Sequence, residues 1–135
     1  MGGPVTGSIR LVGLRARGYH GVYDFERAQG QEFVVDVTLE LDLTRAASSD
    51  DVTDTVHYGE LADRLVAVVT GEPVNLLERL AARLLDMCLA DPRVAEATVT
   101  VHKPQAPVQH AFGDISVTMS RSASAATRPG GERGP

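Results

Sequence analysis

Lys103 is the only lysine in this 135-residue chain, against twelve arginines, and it follows an alternating stretch, Ala97 to Val101, in the run Val101-His102-Lys103-Pro104. Arginine supplies surface charge as well as lysine does, but a guanidinium never yields its proton near neutral pH, whereas an amine can. A single lysine at a strand end therefore points to proton transfer, with a solvated surface charge as the other reading. Glu26 in Tyr23-Asp24-Phe25-Glu26-Arg27, His57 and Tyr58 in Asp54-Thr55-Val56-His57-Tyr58, Glu78 and His20 are the other polar groups that could join it. Each also has a structural reading. Glu78 stands three residues after Asn75, the spacing of a capping box at a helix start. Tyr58 suits a helix start as an amphipathic residue, His20 suits a loop as a backbone-bonded histidine, and Glu26 suits solvent. Spacing alone does not group these residues into a site.

Composition removes several classes of function. The chain is 43% hydrophobic and 23% charged, which is ordinary for a globular domain, and no apolar run approaches the roughly 18 residues of a membrane span. A net charge of −5 and six aromatics argue against a nucleic-acid surface, which needs a basic stripe and stacking platforms. Residues 1–8 lack the basic start and apolar core of a secretory signal, so a cytoplasmic protein is expected. Cys88 is alone, which rules out an internal disulfide and a zinc finger; its neighbours Leu84, Leu85 and Leu89 suit a buried thiol. No two histidines have metal-ligand spacing, and neither a glycine-rich phosphate loop nor a Gly-x-Ser-x-Gly elbow is present.

The elements that must position these groups follow from periodicity. From Phe33 to Leu43, apolar residues alternate with mostly polar ones, the period of a strand with one buried face. Ile9 to Val12, leading into Leu14 to Ala16, is a partner strand, and residues 18–31 between the two form a long loop of the kind that carries function. A helix is predicted over 58–70, with Leu61 and Leu65 on its inner stripe and Gly71 and Pro73 at its end. A second helix begins at an Asn75 cap, turns Leu77, Leu80, Ala81, Leu84, Leu85 and Cys88 inward, and stops at Asp91-Pro92. Strands return at 97–101 and 115–119. The order is ββααββ, an α+β fold with a four-stranded antiparallel sheet and two helices on its apolar face. The single domain is expected over 8–120, between a flexible start at 1–7 and a disordered tail at 121–135. Two open sheet edges and a polar outer face predict closure of several copies into a ring.

Taken together, Gly18-Tyr19-His20-Gly21-Val22, Glu26 before Gly30-Gln31-Glu32-Phe33, Asp36-Val37, Asp54-Thr55-Val56-His57-Tyr58, Asn75-Leu76-Leu77-Glu78 and Val101-His102-Lys103-Pro104 resemble the dihydroneopterin aldolase family of folate biosynthesis over about Ser8 to Ser120. The resemblance implies a tunnel fold, a ring-shaped barrel of four chains that can pair into eight, and active sites at subunit interfaces. It implies cleavage of 7,8-dihydroneopterin without cofactor or metal, because the pterin's own imine accepts the electrons. It also implies roles: Lys103, Tyr58 and Glu26 catalytic, with Glu78, Leu77, Val56, Thr55 and His57 binding the substrate. A pterin epimerase and a non-catalytic oligomeric pterin-binding protein are the alternatives that the same residues leave open.

Overall fold

In the computed structural model, which describes residues 2–123, the chain forms a four-stranded sheet in the order β1 (Thr6–Gly18), β2 (Gln31–Asp42), β3 (Val94–His102), β4 (Ser116–Ser122), every pair antiparallel. The alternation in the sequence becomes the two faces of this sheet. Gln31, Phe33, Val35, Val37, Leu39 and Leu41 of β2 are buried, as are Val94, Ala97, Val99 and Val101 of β3. Two helices cover that face: α3 (Tyr58–Val69) lies on β1, and α4 (Leu77–Leu89) lies across β3 and β4. Leu61, Leu65 and Val69 of the first and Leu80, Ala81, Leu84, Leu85 and Cys88 of the second recur at helical spacing, so each helix buries one stripe. The opposite face is hydroxyl-rich. Thr98 bonds Ser120 and Thr100 bonds Thr118, each at 2.8 Å, and Arg10 donates to Thr38 at 3.3 Å.

The inward residues of β1 switch phase from Ile9 and Leu11 to Leu14 and Ala16 because the strand carries one extra residue between Leu11 and Leu14. Gly13 takes the left-handed conformation there, at φ 77°, and its N–H is held by Asp36 Oδ1 at 2.8 Å. This bulge keeps apolar side chains on the core side along the whole strand.

Several expectations need correction. The loop over 18–31 contains a short helix, α1 (Asp24–Gln29), and a further helix, α2 (Thr44–Ser49), and a 3₁₀ turn (Val52–Asp54) follow β2. The chain is engaged before residue 8: β1 starts at Thr6, and Val5 exchanges hydrogen bonds with Thr44 and Leu43. At the other end β4 takes in Arg121 and Ser122, so the tail is shorter than expected there; the remainder of the expected disordered tail, 124–135, lies outside the described residues. Among the described residues, no helix is long and apolar enough to cross a membrane.

Candidate active site

Lys103 leaves β3 at the end where Val101 pairs with Val35 and His102 with Ser116. Its side chain turns under α1 and meets Glu26, with Nζ 2.7 Å from Oε2. Both side chains are enclosed: 12% of the lysine's and 1% of the glutamate's is accessible. An ion pair so far out of water is not a device for stability, since desolvation offsets most of the attraction. Glu26 Oε2 also accepts from Gln31 Nε2 at 2.9 Å, and Oε1 accepts the Tyr23 N–H at 3.3 Å. Burial acts to raise the Glu26 pKa, but the bonds from Lys103, Gln31 and Tyr23 outweigh it and hold the carboxyl below its ordinary value. Glu26 is therefore a carboxylate at neutral pH.

Glycine and histidine in the preceding turn make room for this pair. Gly21 has φ 152°, and a Cβ there would stand 2.2 Å from Glu26 Oε1, so no side chain fits. Its N–H bonds Val74 O at 2.9 Å. His20 is a brace, as its structural reading proposed. It is 1% exposed, its Nε2 donates to Val69 O at 2.7 Å, and its Nδ1 accepts the Val74 N–H at 3.0 Å. Burial, the largest influence, lowers its pKa, so the ring is neutral and ties the end of α3 to the turn that leads into α4. Arg27 completes the connection, with Nε donating to Gly21 O at 3.0 Å and Nη2 to Asn75 Oδ1 at 2.5 Å.

The capping-box reading of Glu78 is overturned. α4 starts at Leu77, its N-cap is Leu76, and no side chain caps it; Asn75 is instead held by Arg27. Glu78 sits in the first turn of the helix, exposed, and without a hydrogen-bond partner among the described residues. Its carboxylate is free to meet a ligand, and the helix N-terminus favours its charge. Leu77, half-buried, begins the helix beside it.

The remaining candidates lie elsewhere. Thr55, Val56, His57 and Tyr58 precede or open α3, whose far end, Val69, is the one bonded to His20. A helix of that length spans roughly 18 Å, so Tyr58 is at the opposite end of the molecule from Lys103. Val56 is buried, Tyr58 is 71% exposed, and His57 caps α3 by accepting the Glu60 N–H at 3.2 Å. A cleft of about 530 Å³ opens beside Thr55, Val56 and His57, bordered by Arg64, Asp91 and Arg93. Neither Lys103 nor Glu26 lines it, so it is no pocket for the ion pair.

Two residues in the site's surroundings were missed by sequence reasoning. Gln31 is buried against Glu26; its signals were the inward phase of β2 and the motif Gly30-Gln31-Glu32-Phe33, neither of which gave it a role. His102, next to Lys103 but on the opposite face, lies between two carboxylates, with Nε2 2.7 Å from Asp36 Oδ2 and Nδ1 2.6 Å from Asp114 Oδ2. Nothing in the spacing of positions 36, 102 and 114 announces that arrangement.

The chain matches the family model for dihydroneopterin aldolase over residues 9–120. It is 53% identical over 114 residues to dihydroneopterin aldolase of Streptomyces coelicolor, an alignment covering 84% of this chain and 96% of that protein. The identity to dihydroneopterin aldolase of Bacillus subtilis is 39% over 117 residues, covering 86% and 98%. Among solved structures, E. coli dihydroneopterin aldolase in complex with neopterin matches with a TM-score of 0.79 at 28% identity, over 86% of this chain and 99% of that one.

Proposed function

Since this chain belongs to the dihydroneopterin aldolase family and is an aldolase by that membership, we propose that it cleaves 7,8-dihydroneopterin by proton transfer, with groups from two subunits around one pterin. The products are 6-hydroxymethyl-7,8-dihydropterin and glycolaldehyde, and the place of the reaction is cytoplasmic folate biosynthesis. The observation that carries the reading is the buried contact of Lys103 Nζ with Glu26 Oε2 at 2.7 Å.

The chemistry asks for little else. When the bond between C1′ and C2′ of the substrate breaks, the 2′-hydroxyl gives up its proton and becomes the aldehyde of glycolaldehyde. The bonding pair moves onto C1′ and is taken into the neighbouring C6=N5 imine as an enamine. A proton then returns to C1′. Because the substrate carries its own electron sink, a lysine Schiff base is not needed. Lys103, as the neutral amine, accepts the hydroxyl proton through a water, Glu26 orients that water and the substrate's side chain, and Tyr58 of a neighbouring subunit helps protonate C1′. Glu78 accepts from the pterin's 2-amino and N3–H groups, a pair of donors that a carboxylate matches in a bidentate way. Leu77, and Thr55, Val56 and His57 of the neighbour, complete the slot.

The separation of the two groups supports a shared site. The sheet between them, from Val35 to Leu41 on β2, is about 20 Å long, more than one pterin can bridge. If all these residues serve one substrate, a second copy must bring its Thr55–Tyr58 segment to the Lys103 end of the first. Among the described residues β1 and β4 are the outer strands of the sheet, and pairing one with the other around a ring of four, or two such rings, would leave no edge bare.

Incubation with 7,8-dihydroneopterin and chromatography of the products tests the assignment. Equimolar glycolaldehyde and 6-hydroxymethyl-7,8-dihydropterin are expected, with undiminished yield in chelator. Recovery of the C2′ epimer alone would make the chain an epimerase, and unaltered substrate would leave only pterin binding.

A further inference from the structure

The side-chain oxygen of Gln31 is enclosed and accepts no hydrogen bond, although the residue is only 6% exposed. The nitrogen of the same amide donates to Glu26 Oε2 at 2.9 Å. Turning the amide over does not relieve this, because its oxygen would then face a carboxylate that has no proton to give. Buried carbonyls without a donor are rare in folded proteins and costly. No group among the described residues supplies one here. Lys103 Nζ reaches the same Glu26 oxygen at 2.7 Å, so the amide and the amine converge on one atom. Gln31 Oε1 belongs to the amide that shares Glu26 Oε2 with Lys103 Nζ, so a donor bound to it lies in the immediate surroundings of that pair.

We propose that Gln31 is a positioning residue for proton transfer: its Oε1 accepts an O–H, from a water or from the substrate's hydroxylated side chain, and holds it beside Lys103 Nζ. The inference deepens the assignment of Lys103 and Glu26 and rests on it. It explains why an amide occupies this position. A methionine would offer only a weakly accepting sulfur and no N–H for Glu26, and a glutamate would set a second carboxylate against Glu26.

Crystals of the intact protein, with and without neopterin, test the geometry. A water oxygen within about 3.2 Å of Gln31 Oε1 in both states identifies water as the donor; a neopterin hydroxyl in its place in the complex identifies the substrate. An Oε1 with no O–H neighbour in either state, or bonded to a protein group, overturns the proposal. Kinetics test the role. Gln31→Met preserves length and volume, and kcat should fall about tenfold or more with KM nearly unchanged. Wild-type kcat, or a loss confined to melting temperature, would leave Gln31 a structural brace. Gln31→Glu serves if the methionine variant folds poorly. Protonated, its carboxyl imitates the amide, so kcat relative to wild type should rise as pH falls; a ratio constant with pH counts against the proposal. Lys103→Ala separates the two levels: full turnover in that variant defeats the base assignment, while the crystallographic result for Oε1 stands or falls by itself.

Discussion

At the scale of single residues, the site depends on which proton each group can exchange. Lys103→Ala is expected to bind pterin and to lose about 10²–10⁴-fold in kcat, the usual share of a general acid or base. Lys103→Arg should not restore turnover, because a guanidinium keeps its proton at these pH values. Stopped-flow and equilibrium fluorescence separate the two quantities, and near-normal kcat in the arginine variant would show that positive charge is enough. Glu78 makes a different prediction because its side chain caps nothing and bonds nothing among the described residues. Glu78→Gln should leave the melting temperature in place and weaken pterin binding by about 1.5–3 kcal/mol, the range for a lost charge-assisted hydrogen bond. Calorimetry that found unchanged affinity would remove Glu78 from the pterin slot.

At the scale of elements, His102 fastens β2, β3 and the segment 103–115 to one another. Asp36, which it bonds on β2, also holds the Gly13 bulge of β1, and Asp114, which it bonds in the segment, precedes Ile115, whose carbonyl accepts the Lys103 N–H at 2.7 Å. Both ring nitrogens donate to carboxylates only when the ring is charged. The bonds to Asp36 first and Asp114 second outweigh burial and raise the pKa above its ordinary 6.5. Arg10 is a cation that acts on Asp36; facing His102 from β4, Ser116 is uncharged. The sign follows from linkage: the contribution to stability is complete below pH 6.5 and fades as pH rises through the higher folded value. Because the side chain is a quarter exposed, the effect is about 1 kcal/mol or less. The melting temperature of the wild type should exceed that of His102→Gln most near pH 6 and lose that margin by pH 9. A margin independent of pH would mean that the ring acts through packing alone.

At the scale of the whole molecule, the two separated residue groups predict that activity belongs to the assembly. Light scattering at micromolar concentration should report four or eight chains, and a fully active monomer would end the shared-site reading. Complementation is a sharper measurement. Lys103→Ala and Tyr58→Ala rings should each be nearly inactive, yet dissociating and reassembling them together should restore about a quarter of wild-type activity, because random closure brings an intact Lys103 against an intact Tyr58 at one interface in four. No recovery in mixed rings of proven composition would mean that Lys103 and Tyr58 must act from the same chain, against the shared site.

By itself the sequence determined what depends on neighbours along the chain. The alternation from Phe33 to Leu41 set which face of β2 is buried, the recurrence of Leu80, Ala81, Leu84 and Leu85 set the inner stripe of α4, and the lone amine at Lys103 stood out as a candidate for proton transfer. Local signals erred where a distant partner intervened. Asn75 looked like a helix cap, but the Arg27 guanidinium captures its side chain, and the N-cap falls at Leu76, so α4 starts one residue later than the capping pattern implied. The six residues of α1 are too few to establish a helical period against a loop background. Only the tertiary structure put Glu26 and Gln31 against Lys103, set His102 between Asp36 and Asp114, and sent Thr55–Tyr58 to the far end of the sheet. Periodicity records whether a side chain faces water or core. Which buried polar groups meet is decided by sheet register and by the path of the loops, and those are fixed when the whole chain closes on one core.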